Sequence, residues 1–99
     1  MLQAQIYIDK DELRGMQPLY QFIMHFLLEQ HAAGATAFRG QWGFGSQHRL
    51  KRPDRLFSFD EPPMLITFID EDEKVMQIIT ELRKHYKGGL IVTNKVEQW

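Results

Sequence analysis

The hydrophobic period of this chain switches back and forth between two and about 3.6 residues, and that order of switching restricts the fold more than any other feature. Leu2 to Asp9 alternates, with Ala4, Ile6 and Ile8 on one side and Gln3, Gln5 and Tyr7 on the other, the pattern of a half-buried strand. The charged run Asp9-Lys10-Asp11-Glu12 closes it. Pro18 sits where a first helical residue belongs, because its missing N–H costs nothing there. Leu19, Phe22, Ile23, Phe26 and Leu27 follow at helical spacing, and Gly34 is the expected stop, so a first helix is predicted over Pro18 to Ala33.

Ala35 to Arg39 reads as a second strand running into Gly40-Gln41-Trp42-Gly43-Phe44-Gly45. Ser46 to Asp60 shows no clear period. Met64 to Ile69 is a nearly continuous apolar run, the composition of a central strand covered on at least one face. Asp70 with Glu73 three residues on predicts a capping-box-like start. Val75, Ile78, Ile79 and Leu82 then mark the apolar stripe of a second helix, stopped by Gly88-Gly89, and Leu90 to Val96 forms the last strand.

The resulting order is β-α-β-β-α-β. With right-handed crossovers it predicts a ferredoxin-like α+β sandwich, an antiparallel four-stranded sheet with two helices on one face. At 99 residues the length suits one domain spanning 1–99. Without cysteine the chain has no disulfide staple, thiolate nucleophile or Cys zinc site, so extra stability is expected from self-association. Met1 to Asp11 lacks a signal-like segment and no apolar run reaches the ~18 residues of a membrane span, which predicts a cytoplasmic protein with no membrane insertion.

Charge is unevenly distributed. The net charge is −1, yet Arg39 to Arg55 holds five bases and one acid, whereas the remainder holds seven bases and twelve acids. His48, Arg49, Lys51, Arg52 and Arg55 fall inside or beside a segment of about fifteen residues, long for a small domain and therefore expected to be functional or mobile. Arg forks there suit phosphate or carboxylate, although a charge run is also the ordinary look of a solvated face. The three glycines at 40, 43 and 45 can bring backbone N–H groups close to an anion, or can make room at a bulged strand end; neither dinucleotide nor P-loop spacing is present.

Other motifs have plainer explanations. Arg39-Gly40 followed by aromatics approaches the RNA-recognition RNP1 pattern, but Gln41 occupies the first aromatic position and the stretch follows strand two. Nucleic-acid binding through the basic loop is thus the alternative, not the main expectation. His25 and His31 lie six apart and share no helical face, so no metal site is expected. Asp70-Glu71-Asp72-Glu73 opens a helix, where acids offset the dipole. No nucleophile, base and orienting acid form a set, and the chain is not expected to be an enzyme.

The chain resembles domain-of-unknown-function family 190, whose members are PII-like, related in fold to the nitrogen-regulatory PII (GlnB-type) signal transducers. The resemblance lies in Ile6-Tyr7-Ile8, Pro18-Leu19-Tyr20, Gly34 to Gly40 continuing to Gly43-Phe44-Gly45, Ile69 to Lys74, and Gly89-Leu90-Ile91. It implies a homotrimer with effectors such as ATP or ADP in clefts between subunits, and a T-loop between strands two and three that reports occupancy to a partner. Here that loop is the segment from about Gly43 to Glu61, and Lys87-Gly88-Gly89 takes the place of the phosphate-contacting B-loop. The implied effector site is Arg39, Gly40, Gly43, Gly45, Lys87, Gly88 and Gly89, with His48, Arg49, Lys51, Arg52 and Arg55 facing the partner. An association of some members with fluoride-exporter genes implies a membrane transporter or channel as that partner. A third reading is a protein-interaction module that needs no ligand.

Overall fold

A computed structural model of the chain describes residues 1–9, 11–43 and 63–99. Four strands form the main sheet: β1 (Leu2–Asp9), β4 (Ala35–Arg39), β5 (Pro63–Asp70) and β6 (Leu90–Lys95), in the order β4-β5-β1-β6 with every pair antiparallel. A two-stranded ribbon, β2 (Leu13–Arg14) and β3 (Gln17–Pro18), turns around Gly15 at φ +63° and leads into α1 (Leu19–Glu29). The second helix, α2, spans Asp72–His85. This is the expected ferredoxin-like arrangement, with the β2–β3 ribbon added between the first strand and its helix.

Register explains which face is buried. Ile6 stands opposite both Ile66 and Ile91, Ile8 opposite Met64, and Ala4 opposite Phe68, so these side chains share one face of the sheet. The helices cover that face with Leu19, Ile23, Phe26 and Leu27 from α1 and Val75, Ile78 and Leu82 from α2. The cover is widest over the two central strands. On the edges, Ala37, Arg39, Thr93 and Lys95 remain exposed although they share the helix-facing register.

The first helix ends earlier than the sequence predicts. It stops at Glu29 with Gln30 as its C-cap, four residues short of Ala33 and without using Gly34. The stop is a Schellman motif: the His31 N–H donates to the Leu28 carbonyl at 3.1 Å and the Ala32 N–H to the Leu27 carbonyl at 3.1 Å. Its left-handed residue is His31 at φ +60°, a conformation usually given to glycine. Lys74 donates to the His31 carbonyl, and the Ala33 N–H donates to Asp70 Oδ2 at 3.0 Å, so the strained corner is anchored to the start of α2.

That use of Asp70 also corrects the expected capping box. The N-cap of α2 is Glu71, in extended conformation and with no side-chain cap, while Asp70 Oδ1 accepts the Glu71 N–H at 2.8 Å. Asp72 and Glu73 in the first turn, with Arg83, Lys84 and His85 in the last, favour the helix dipole instead. The helix ends at His85, with Tyr86 as C-cap, before the glycine pair is reached.

The sheet's other face is open. Phe38, Leu65, Tyr7 and Leu90 stand opposite one another across all four strands and make one apolar row, with Thr36, Thr67, Gln5 and Val92 in the next. Phe38 is 53%, Tyr7 42% and Leu90 57% exposed, so within a single copy this row faces solvent.

Candidate functional site: two sheet edges and a cleft

At the end of β4 the chain is pinned to the start of β5. Gly40 N–H donates to the Pro63 carbonyl at 2.7 Å, and a Cβ on Gly40 would stand 2.5 Å from Pro63 Cγ. One on Gly43 would stand 3.2 Å from the same ring atom. Close chain approach therefore requires glycine at 40 and leaves little room for a side chain at 43, the bulged-strand-end reading of these residues. Arg39, just before them, is opposite Met64 and exposed, with no side-chain partner among the described residues. Gly45, His48, Arg49, Lys51, Arg52 and Arg55 lie outside the described residues.

At the other edge, the turn from Tyr86 to Gly89 joins α2 to β6. Gly89 has φ +64°, and a Cβ there would meet the Tyr7 carbonyl oxygen at 2.6 Å. Gly88 packs on the Tyr86 ring, whose Oη would be 2.8 Å from an added Cβ. The Tyr86 hydroxyl donates to Glu12 Oε2 at 3.2 Å. Burial and then the Glu12 charge push the Tyr86 phenol up to about 12, so it stays a neutral donor. Arg83 Nη1 donates to the carbonyls of Gly88, at 2.7 Å, and Tyr86, at 3.3 Å. Arg14, from the β2–β3 ribbon, donates to the His85 carbonyl and stacks on Phe22 with its guanidinium carbon 4.3 Å from the ring centroid. Lys87 is exposed.

Arg39–Gly40 and Lys87–Gly89 thus occupy the same end of the sheet but opposite edges. Three strand spacings separate them, roughly 14 Å. One copy of the chain does not bring them together.

A third feature was not indicated by the sequence. Toward the opposite end of the sheet, an open cleft of ≈ 600 Å³ is lined by Gly34 and Thr36 of the β4 start, Thr67 and Ile69 of β5, and Val96 and Glu97 after β6. Its wall is held from behind by Asp70, which is buried. Burial alone would raise the Asp70 pKa, but the N–H groups of Glu71 and Ala33 and the Lys74 ammonium, 3.6 Å away, outweigh it and hold the carboxyl below its ordinary value. Thr67 is already engaged, accepting from Gln3 Nε2 at 3.1 Å and donating to the Ala4 carbonyl at 2.9 Å. Among the described residues no lysine or arginine lines the cleft.

The model of family DUF190, described as "Uncharacterized ACR", matches residues 1–98. The chain belongs to this family. DUF190 membership agrees with the structural neighbours. CPII, a nitrogen regulatory PII-like protein from Thiomonas intermedia K12 bound to ADP, AMP and bicarbonate, superposes with a TM-score of 0.68 at 16% identity, over 94% of this chain and 82% of CPII. CPII bound to ADP and bicarbonate gives 0.66 at 15% identity over the same shares, 94% and 82%. A PII-like signaling protein from Thermus thermophilus gives 0.61 at 15% identity, over 94% and 81%. At these identities the likeness establishes the fold, and the fold of this DUF190 chain is PII-like.

Several residues of the glycine turn and cleft carry no local sequence signature. Glu12 and Tyr86 are 74 positions apart, and the cleft gathers segments from both ends of the chain. Arg83 is one of three basic residues in the last turn of α2, a pattern that by itself points only to the helix dipole. Among the described residues no group of three or more His, Asp and Glu side chains could hold a metal ion, and no helix is long and apolar enough to cross a membrane.

Proposed function

We propose that this DUF190 protein is a non-enzymatic PII-like regulator, one domain over 1–99, that binds an anionic small molecule between copies of itself. An adenine nucleotide, ADP or ATP, is the leading effector. The observation that carries this reading is the separation of the two candidate anion-holding segments onto opposite sheet edges at one end of the molecule. A head-to-tail ring, a trimer in PII-type proteins, sets the β4 edge of one copy beside the β6 edge of the next and joins Arg39 and Gly40 to Lys87, Gly88 and Gly89. The apolar row Phe38–Leu65–Tyr7–Leu90 supports association, because its burial supplies the hydrophobic gain that a small domain lacks alone.

The cleft supports the nucleotide reading from the other direction. Its lining has hydroxyl and apolar groups, the Glu97 carboxylate, and Met1, whose ammonium is already paired with Asp72, with no lysine or arginine among the described residues, which suits an uncharged ring system better than a phosphate. Thr36 and Arg39 are three residues apart along β4, roughly 10 Å, and face opposite sides of the sheet, so a ligand with an uncharged head and an anionic tail would wrap around that edge. The CPII structures with ADP and AMP support this choice of ligand class. The four bases of the segment 44–62, Arg49, Lys51, Arg52 and Arg55, would then face the partner, and docking on a protein, a membrane transporter or channel, would depend on the effector.

Calorimetry with ADP, AMP and ATP, on protein whose association state is set by analytical ultracentrifugation, tests the reading. Binding by a sedimenting trimer is the expected result. Absence of binding at millimolar nucleotide, with the oligomer intact, refutes the nucleotide effector, and a stable monomer refutes the intersubunit site.

A further inference from the structure

The glycine turn is arranged by residues that would never touch the effector. Arg83 Nη1 reaches two alternate carbonyls, those of Tyr86 and Gly88. All described peptide bonds are trans, and in a trans peptide the N–H points opposite to the C=O. Drawing the Tyr86 and Gly88 carbonyls onto the guanidinium therefore turns the following amides, those of Lys87 and Gly89, away from Arg83. Neither amide donates to another group among the described residues. The turn cannot swing back on its other side. The Tyr86 ring fills the space under Gly88, its hydroxyl is tied to Glu12, and Gly89 lies hard against the Tyr7 carbonyl.

We propose that Arg83 is the positioning residue of this site, with the Tyr86–Glu12 hydrogen bond as its brace, and that together they hold the Lys87 and Gly89 amides outward as paired donors for the effector's phosphate. The proposal rests on the effector-binding reading above and adds to it the residues that make the turn competent. Two outward N–H groups on alternate residues concentrate positive potential, Lys87 contributes an exposed ammonium beside them, and Arg83 adds a fixed charge behind them. Because Arg83 acts on the phosphate end only, its loss separates ligands with and without phosphate.

The test compares wild type with Arg83→Met, Arg83→Lys and Tyr86→Phe, measuring affinity for ADP, adenosine and inorganic pyrophosphate and the chemical shift of the Gly89 amide. Arg83→Met is expected to weaken ADP and pyrophosphate roughly tenfold, equivalent to about 1.4 kcal/mol, while adenosine affinity holds. Arg83→Lys restores part of the loss, since one ammonium can still reach a carbonyl. Tyr86→Phe keeps the ring and loses the tie to Glu12, giving a smaller loss of the same kind. Equal weakening of ADP and adenosine would mean a general structural role and overturn the proposal. So would unchanged ADP affinity in Arg83→Met. Should wild type bind none of the three ligands, the effector reading fails, and the Gly89 amide still decides the positioning role: a shifted amide resonance in Arg83→Met supports it, and an unchanged one overturns it.

Discussion

Replacing Asp70 with alanine removes three interactions at once, and their sizes can be worked from the geometry. The carboxylate is buried, accepts the Ala33 N–H at 3.0 Å and the Glu71 N–H at 2.8 Å, and lies 3.6 Å from Lys74 Nζ. A hydrogen bond to a charged group is worth about 1.5–3 kcal/mol, but both donor residues are exposed, so water recovers part of that on substitution. The Lys74 pair is partly solvated and adds at most about 1 kcal/mol. The expected loss is about 2–3 kcal/mol, or a fall in Tm of roughly 10–20 °C for a domain of this size. Asp70→Asn keeps one acceptor oxygen and should lose about half as much.

The same substitution has a pH signature. The folded pKa of Asp70 lies below its ordinary value, so its contribution is complete above the unfolded value of 3.8 and drains away as pH falls through the lower, folded value. The gap between wild type and Asp70→Ala should therefore be widest near neutrality and close in acid. Urea denaturation at several pH values, at one fixed protein concentration because self-association adds to apparent stability, measures both effects. A gap under about 0.5 kcal/mol at pH 7, or one that persists unchanged in acid, refutes the reasoning. The result also bears on the cleft, since Ala33 and Gly34 line it and Asp70 is what holds that corner.

Three further outcomes follow from the fold. Gly40→Ala drives a methyl to 2.5 Å from the Pro63 ring and should cost about 1–3 kcal/mol in denaturant titration; an unchanged midpoint would show that the β4–β5 junction is looser than described. His31→Gly relieves a left-handed non-glycine residue and should raise stability by about 0.5–1 kcal/mol, a gain that thermal unfolding reads directly and that a loss would contradict. The Tyr86 phenol, near 10 when unfolded and about 12 when folded, contributes stability fully below pH 10 and loses it as pH rises toward 12; Tyr86→Phe should flatten that alkaline limb, and an identical limb would rule out the phenol as its source.

The sheet was legible because β1 keeps its period-two pattern, with Ala4, Ile6 and Ile8 buried as the alternation demanded, and because β4 begins and ends at the expected residues. The helix ends were not, for reasons of tertiary origin. His31 takes the left-handed position because Lys74 and Asp70, some forty residues away, secure the residues around it, and nothing near His31 in sequence announces this. Asp70 looked like a cap because its spacing to Glu73 fits one, yet its carboxylate is drawn to the Ala33 amide as well as to that of Glu71. The β2–β3 ribbon is only two residues a side, too short for periodicity to show. Around the site, Gly40 and Gly43 stood out as glycines, but the packing reason, the Pro63 ring, lies across a twenty-residue gap.

The central claim is that the effector site is built from two copies, and a subunit-mixing titration addresses it most directly. Arg39→Ala and Lys87→Ala proteins are prepared separately, each expected to bind ADP poorly, then allowed to exchange subunits at equal concentration. If Arg39 of one copy faces Lys87 of the next in a closed ring, random mixing rebuilds both halves at about a quarter of the interfaces. Calorimetry should then show ADP sites of wild-type affinity at about that fraction of the wild-type number. Full loss of binding in the mixture, with exchange verified, would mean that both residues serve a site within one copy and would contradict the account.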